Sequence, residues 1–109
     1  MQTTLMKEIT TSQNISKVID LVYSHHGDTI ASQVLIQVIG NCKVSVSGKI
    51  CDDVENTSPL MVVDISSLEG VSEITSPGIY TLPTDGLGSI TLSISSVTGT
   101  ATVIVKGLL

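Results

Sequence analysis

From Ser32 to Ile50 the chain alternates with a period of two. Val34, Ile36, Val38, Val44 and Val46 share one parity, while Gln37, Lys43, Ser45 and Ser47 share the other. This is the pattern of half-buried β-strands. Gly40-Asn41-Cys42 interrupts it with residues that tolerate the left-handed backbone of a tight loop. The segment therefore predicts a hairpin of Ser32–Ile39 and Lys43–Ile50. A two-residue loop would pair Gln37 with Val44 and mix the faces. A three-residue loop pairs Val38 with Val44 and Ile36 with Val46, and it sets Gln37 against Ser45. The three-residue loop is the expectation, because a one-residue slip would turn every side chain over.

A second hairpin is predicted at Thr98-Gly99. It pairs Ile94 with Val103 and Leu92 with Val105, so that Ser93 and Ser95 line the other side with Thr102. Between the two hairpins, Cys51 to Pro59 is a polar break. Leu60 to Ile65 reads as one strand, central or covered on both faces, and Ser66 to Ser76 reads as an irregular link. Ile79 to Leu82 is a short strand closed by Pro83 and an Asp85-Gly86 turn. Near the N-terminus, Leu5 to Ile9 fits an edge strand or an arm. Ile15 to Tyr23 fits a helix with Asn14 as N-cap, or a strand with Val18, Asp20 and Val22 on one face; the β character of the rest favours the strand. His25-His26-Gly27-Asp28 makes the turn out. The expected fold is all-β: an antiparallel β-sandwich of about seven to eight short strands with an N-terminal arm. Residues 1–30 form the arm or first strands and 31–109 the sandwich.

Composition sharpens this reading. The 109 residues contain no Phe, no Trp and no Arg, two Tyr, and an apolar set dominated by Val, Ile and Leu. Stiff β-branched side chains favour extended backbone. Five Lys stand singly against ten acids, for a formal charge of −5. Displacing counterions from nucleic acid takes clustered cations, and single strands need aromatic platforms. Neither nucleic acid nor an anionic membrane surface is an expected partner. The longest apolar runs, such as Val34-Leu35-Ile36, are far too short to span a bilayer, and Met1 to Glu8 lacks a signal-type apolar core.

Candidate chemistry is sparse. On one continuous strand Cys42 and Cys51 would lie about 30 Å apart, so two reduced thiols are expected and not a bridge. Those thiols with His25 and His26 match a four-ligand zinc site poorly. Asp52-Asp53-Val54-Glu55 offers hard oxygen ligands but lacks the spacing and internal Gly of a calcium loop, so a solvated loop is the simpler reading. No Ser sits in a nucleophile elbow, and neither His has an evident orienting carboxylate beyond Asp28. No catalytic, cofactor-binding or metal residues are expected, and no cofactor. Tyr80 has two readings: a corner tyrosine bonded to backbone, or an exposed ring that stacks on a sugar. The corner is favoured.

The order of parts carries a resemblance. Val44-Ser45-Val46-Ser47-Gly48, an acidic loop, Val71-Ser72-Glu73-Ile74-Thr75-Ser76-Pro77-Gly78-Ile79-Tyr80, the corner Gly86-Leu87-Gly88-Ser89-Ile90, and a Ser/Thr-rich close with Gly99 and Val103-Ile104-Val105-Lys106-Gly107 follow one another. Over Ala31 to Gly107 this resembles small β-sandwich structural proteins of tailed bacteriophages, of the capsid-decoration or head-fibre type. Members often carry aromatic and Arg residues that this chain lacks. The resemblance implies a non-enzymatic virion component, made in the host cytoplasm. It would act as a homo-oligomer, a trimer by analogy with fibres, and attach to the major capsid protein or another virion protein. Leu5, Met6, Ile9, Leu108 and Leu109 are the expected interface residues, buried only on assembly. The alternative is a host-glycan or cell-surface binding β-sandwich module of a tail or surface protein.

Overall fold

The computed structural model describes residues 3–23, 29–30, 32–51 and 53–108. Within them lie β1 (Thr3–Thr11), β2 (Ile15–Asp20), β3 (Val22–Tyr23), β4 (Thr29–Ile30), β5 (Gln33–Lys49), β6 (Ser58–Leu60), β7 (Val62–Asp64), β8 (Glu69–Val71), β9 (Gly78–Pro83) and β10 (Ser89–Leu108). The protein is all-β, as the alternation predicts, and 15–20 is a strand. Eight elements join one antiparallel sheet. Its main path is β1-β10-β5-β9-β7-β8, with β2 also on β10 and β6 on β5; β3 and β4 pair separately.

Both predicted hairpins are corrected. β5 runs unbroken through Gly40-Asn41-Cys42 for 17 residues, and β10 runs unbroken through Thr98-Gly99 for 20. The two long strands pair with each other along their whole length. Val38 lies opposite Val103, not Val44, and Ile94 lies opposite Val44, not Val103. The Gly-containing stretches bend these strands where turns were expected. Gly40 has φ +94° and Gly99 φ +71°, with Ser96 also left-handed at φ 51°. The register shifts between Ser95 and Thr102, where seven steps along β10 face only four along β5, from Lys43 back to Ile39. The extra residues form a bulge that bends the sheet back on itself, as strands do when they pass from one layer to another.

The bend defines two leaves. Leaf A contains β1, residues 101–108 of β10, residues 33–39 of β5, β9, β7 and β8; leaf B contains β2, residues 89–95 of β10, residues 43–49 of β5, and β6. Their inner sides share one core. Val34, Ile36, Val38, Val103 and Val105 come from leaf A, and Val44, Val46, Ile90, Leu92 and Ile94 from leaf B. Removing such aliphatic side chains from water is the main favourable term in folding.

The expected Leu60–Ile65 strand is also corrected. The chain leaves leaf B after Leu60, which pairs with Val46, and joins leaf A at Val62. Met61, at the crossing, is exposed. The apolar run reflects service in two leaves, not one central strand. The link after it contains β8, hairpinned onto β7, and Ile74, which is buried and exchanges backbone hydrogen bonds of 2.8 and 2.9 Å with Val44. The Asp85-Gly86 turn after β9 is present, with Leu87 N–H donating to the Thr84 carbonyl at 3.0 Å.

Candidate interaction surface

The alternation that buries one side of each strand leaves the other side outward, and the two outer faces differ in chemistry. On leaf B the outward positions are Lys43, Ser45 and Ser47 of β5, Thr91, Ser93 and Ser95 of β10, and Ser16 and the exposed Val18 of β2. The Ser16 and Ser93 hydroxyls lie 3.4 Å apart. On leaf A, Ile104 of β10, Gln37 of β5 and Ile79 of β9 form one row across the sheet; Lys106, Leu35, Thr81 and Val63 form the next. Ile39, Ile65 and Ile79 are exposed there, beside Thr81 and the Thr10–Thr102 hydroxyl pair at 3.2 Å. An apolar patch on one side of a small domain is unusual enough to mark an interaction site.

An open groove of about 140 Å³ sits in this face, lined by Leu35, Gln37, Ile79, Ile104 and Lys106. Beside it the β7–β8 hairpin ends the sheet path. Ile65 N–H donates to the Ile79 carbonyl at 3.2 Å, which ties the start of the hairpin turn to β9 next to the groove. The tip is an Asx turn: Asp64 Oδ1 accepts from the Ser66 hydroxyl at 2.7 Å and from Ser66 N–H at 2.9 Å. These bonds, the hydroxyl's first, hold the Asp64 carboxyl below its ordinary range. Leu68 follows in the left-handed region, φ 62°, with 79% of its surface exposed.

Of the interface residues expected from sequence, Ile9 and Leu108 have described side chains. Ile9 is buried in the core of the single chain, so it is not held in reserve for a partner. Leu108 is half-buried, and its carbonyl accepts from Ser32 N–H at 2.9 Å. The backbones of Leu5 and Met6 pair with Gly107 and Lys106, which brings the two ends of the chain side by side at the sheet edge. The side chains of Leu5 and Met6, and all of Leu109, lie outside the described residues, as do His25, His26 and Asp52. Asp53 and Glu55 are exposed. Among the described residues no group of three or more His, Cys, Asp or Glu is placed to hold a metal ion. Cys42 is buried, which pushes its thiol up, and Cys51 is exposed; both are free.

Tyr80 takes the corner role. It is buried, and its hydroxyl donates to the Ser76 carbonyl at 2.8 Å, so the ring is not presented to a sugar. A second groove, about 180 Å³, lies at the open edge between Lys7, Glu8 and Ile9 of β1 and Lys17, Val18 and Ile19 of β2.

Sequence reasoning missed the leaf A surface, though a signal was present. The outward positions in 33–39 are Gln33, Leu35, Gln37 and Ile39, whereas those in 43–49 are Lys43, Ser45, Ser47 and Lys49. Comparing the two halves of one strand, and not only its two faces, would have found it.

No family model matches the sequence, and no curated protein matches it. Solved structures share its fold. The SPBc2 prophage-derived protein YomS superposes with a TM-score of 0.73 at 12% identity, covering 95% of each chain. The PBSX exported protein XepA gives 0.69 at 17% identity, covering 98% of this chain and 39% of XepA, so this chain spans under two-fifths of that protein. A dTDP-4-dehydrorhamnose 3,5-epimerase from Elizabethkingia anophelis NUHP1 gives 0.53 at 11% identity, over 97% of this chain and 50% of the enzyme. At these identities the likeness is one of fold.

Proposed function

We propose that this chain is a non-enzymatic structural protein of a phage particle, a capsid-decoration or head-fibre subunit that works by self-association and by attachment to the shell. One observation carries the reading: the outer face of leaf A exposes Ile39, Ile65 and Ile79 around an open groove, while that of leaf B is the richer in hydroxyls. A subunit that docks on one side and stays dispersed on the other needs that asymmetry. The fold shared with a prophage-derived protein and with an exported protein of PBSX supports it. The net charge of −5 disfavours adventitious binding to packaged DNA. The reading assigns no catalytic side chain and no cofactor. The glycan-binding alternative is weakened by Tyr80, whose ring is inside the fold.

Mass spectrometry of purified particles tests this proposal. The chain should be recovered in fixed proportion to the shell protein, and a washed particle without it would overturn the assignment. Light scattering after size exclusion should show several copies per assembly.

A further inference from the structure

We propose that Leu68 of one copy seats in the leaf A groove of a second copy, between Leu35, Ile79 and Ile104, with Glu69 meeting Lys106. The inference rests on the structural-subunit reading and names the contact by which the copies associate.

The knob is unusual on two independent grounds. A left-handed residue at a hairpin tip is met most cheaply by Gly or Asn, and a branched apolar side chain is strained there. Leu68 adopts this conformation at φ 62° and leaves 79% of its surface in water, so its side chain gains little burial from its own chain. The Asx turn of Asp64 and Ser66, together with the Leu68 N–H bond to the Asp64 carbonyl at 2.7 Å, holds the tip in place before any partner arrives. Preorganisation of this kind lowers the ordering cost of association.

The hole matches the knob in polarity and charge. The groove is open, about 140 Å³, with Leu35, Ile79 and Ile104 as its aliphatic lining around Gln37. Its one cation is Lys106. The tip carries Glu69 next to Leu68, and Asp64, held ionised, at its base. Aliphatic therefore meets aliphatic and carboxylate meets ammonium, the complementarity that sets register and partner choice. Ile39 and Ile65 flank the groove and extend the apolar contact. Knob and hole are different surfaces of one molecule. They lie side by side, so two copies related by a two-fold axis can exchange tips reciprocally, and without that axis the contact runs head to tail.

The test is a complementation by light scattering. Wild type should assemble, and Leu68→Asp and Ile104→Asp should each be monomeric. Mixed, the two variants should form a one-to-one pair, because each retains one working surface. Lys106→Glu alone should weaken association roughly tenfold, and adding Glu69→Lys in the same chain should restore it. Leu68→Gly separates folding from docking: its melting temperature should not fall, while association is lost. A monomeric wild type at millimolar concentration, unchanged assembly in Leu68→Asp, or a mixture that stays monomeric would each overturn the contact. If wild type and Leu68→Asp assemble equally and both enter particles, only this contact fails. Absence from particles sinks the structural reading as well.

Discussion

The hydroxyl of Tyr80 on β9 donates a 2.8 Å hydrogen bond to the carbonyl oxygen of Ser76, four residues upstream. This bond staples the entry of β9 to the loop that carries Ile74 across to leaf B. Ile74 in turn is fixed by its paired backbone bonds to Val44. Removing the hydroxyl leaves a part-buried carbonyl short of a partner, which costs about 1–3 kcal/mol. Tyr80→Phe should lower the unfolding free energy from urea titration by that amount, whereas Tyr80→Ala should cost about 3–5 kcal/mol through the cavity it leaves. Equal midpoints for Tyr80→Phe and wild type would show that the bond contributes nothing.

The two glycines at the bends should differ. A Cβ on Gly40 would stand 2.7 Å from the Thr100 carbonyl oxygen, while one on Gly99 would meet nothing within 4 Å. Both have positive φ, so alanine at either site costs about 1–2 kcal/mol from the backbone alone. Gly40→Ala adds the collision of β5 with β10. Denaturant titration should rank Gly40→Ala as clearly less stable than Gly99→Ala, and the reverse order would refute the account of the bend.

The two thiols should react at separate rates. Only the thiolate attacks an aromatic disulfide reagent, and burial both shields Cys42 and raises its pKa. One thiol per native chain should titrate quickly, with the second appearing on unfolding. Cys51→Ser should abolish the fast phase. Two fast thiols in the native protein would place Cys42 at the surface.

Asp64 makes the β7–β8 hairpin acid-labile. Its carboxyl is held low by the Ser66 hydroxyl and then the Ser66 N–H. A carboxylate whose pKa drops on folding stabilises the fold above its unfolded value, about 3.9, and that contribution is lost as pH falls through the folded pKa. Asp64→Ala should therefore have a shallower loss of stability than wild type between about pH 5 and pH 2. Parallel acid limbs for the two proteins would argue against the turn being held by the ionised form.

The sequence by itself determined which side of the two long strands faces the core. Val34 to Gly48 keep one parity throughout β5, and β10 changes parity between Ile94 and Ala101; both follow from the alternation. It also marked Gly40 and Gly99 as the places where the backbone bends, and it placed Tyr80 at a corner. What it could not choose was the partner of each strand. A three-residue hairpin loop at Gly40-Asn41-Cys42 and a straight run through it put the same residues inward. At Thr98-Gly99 a hairpin and a three-residue bulge reverse parity alike. Local pattern is degenerate between these topologies, since periodicity records only a residue's side and says nothing of its neighbour across the ladder. The tertiary structure resolved it by zipping β5 and β10 together end to end, so that two bent strands close one core from both leaves. The same folding decided which outward residues share a face, and so gathered Leu35, Ile79 and Ile104, far apart in the chain, into one surface.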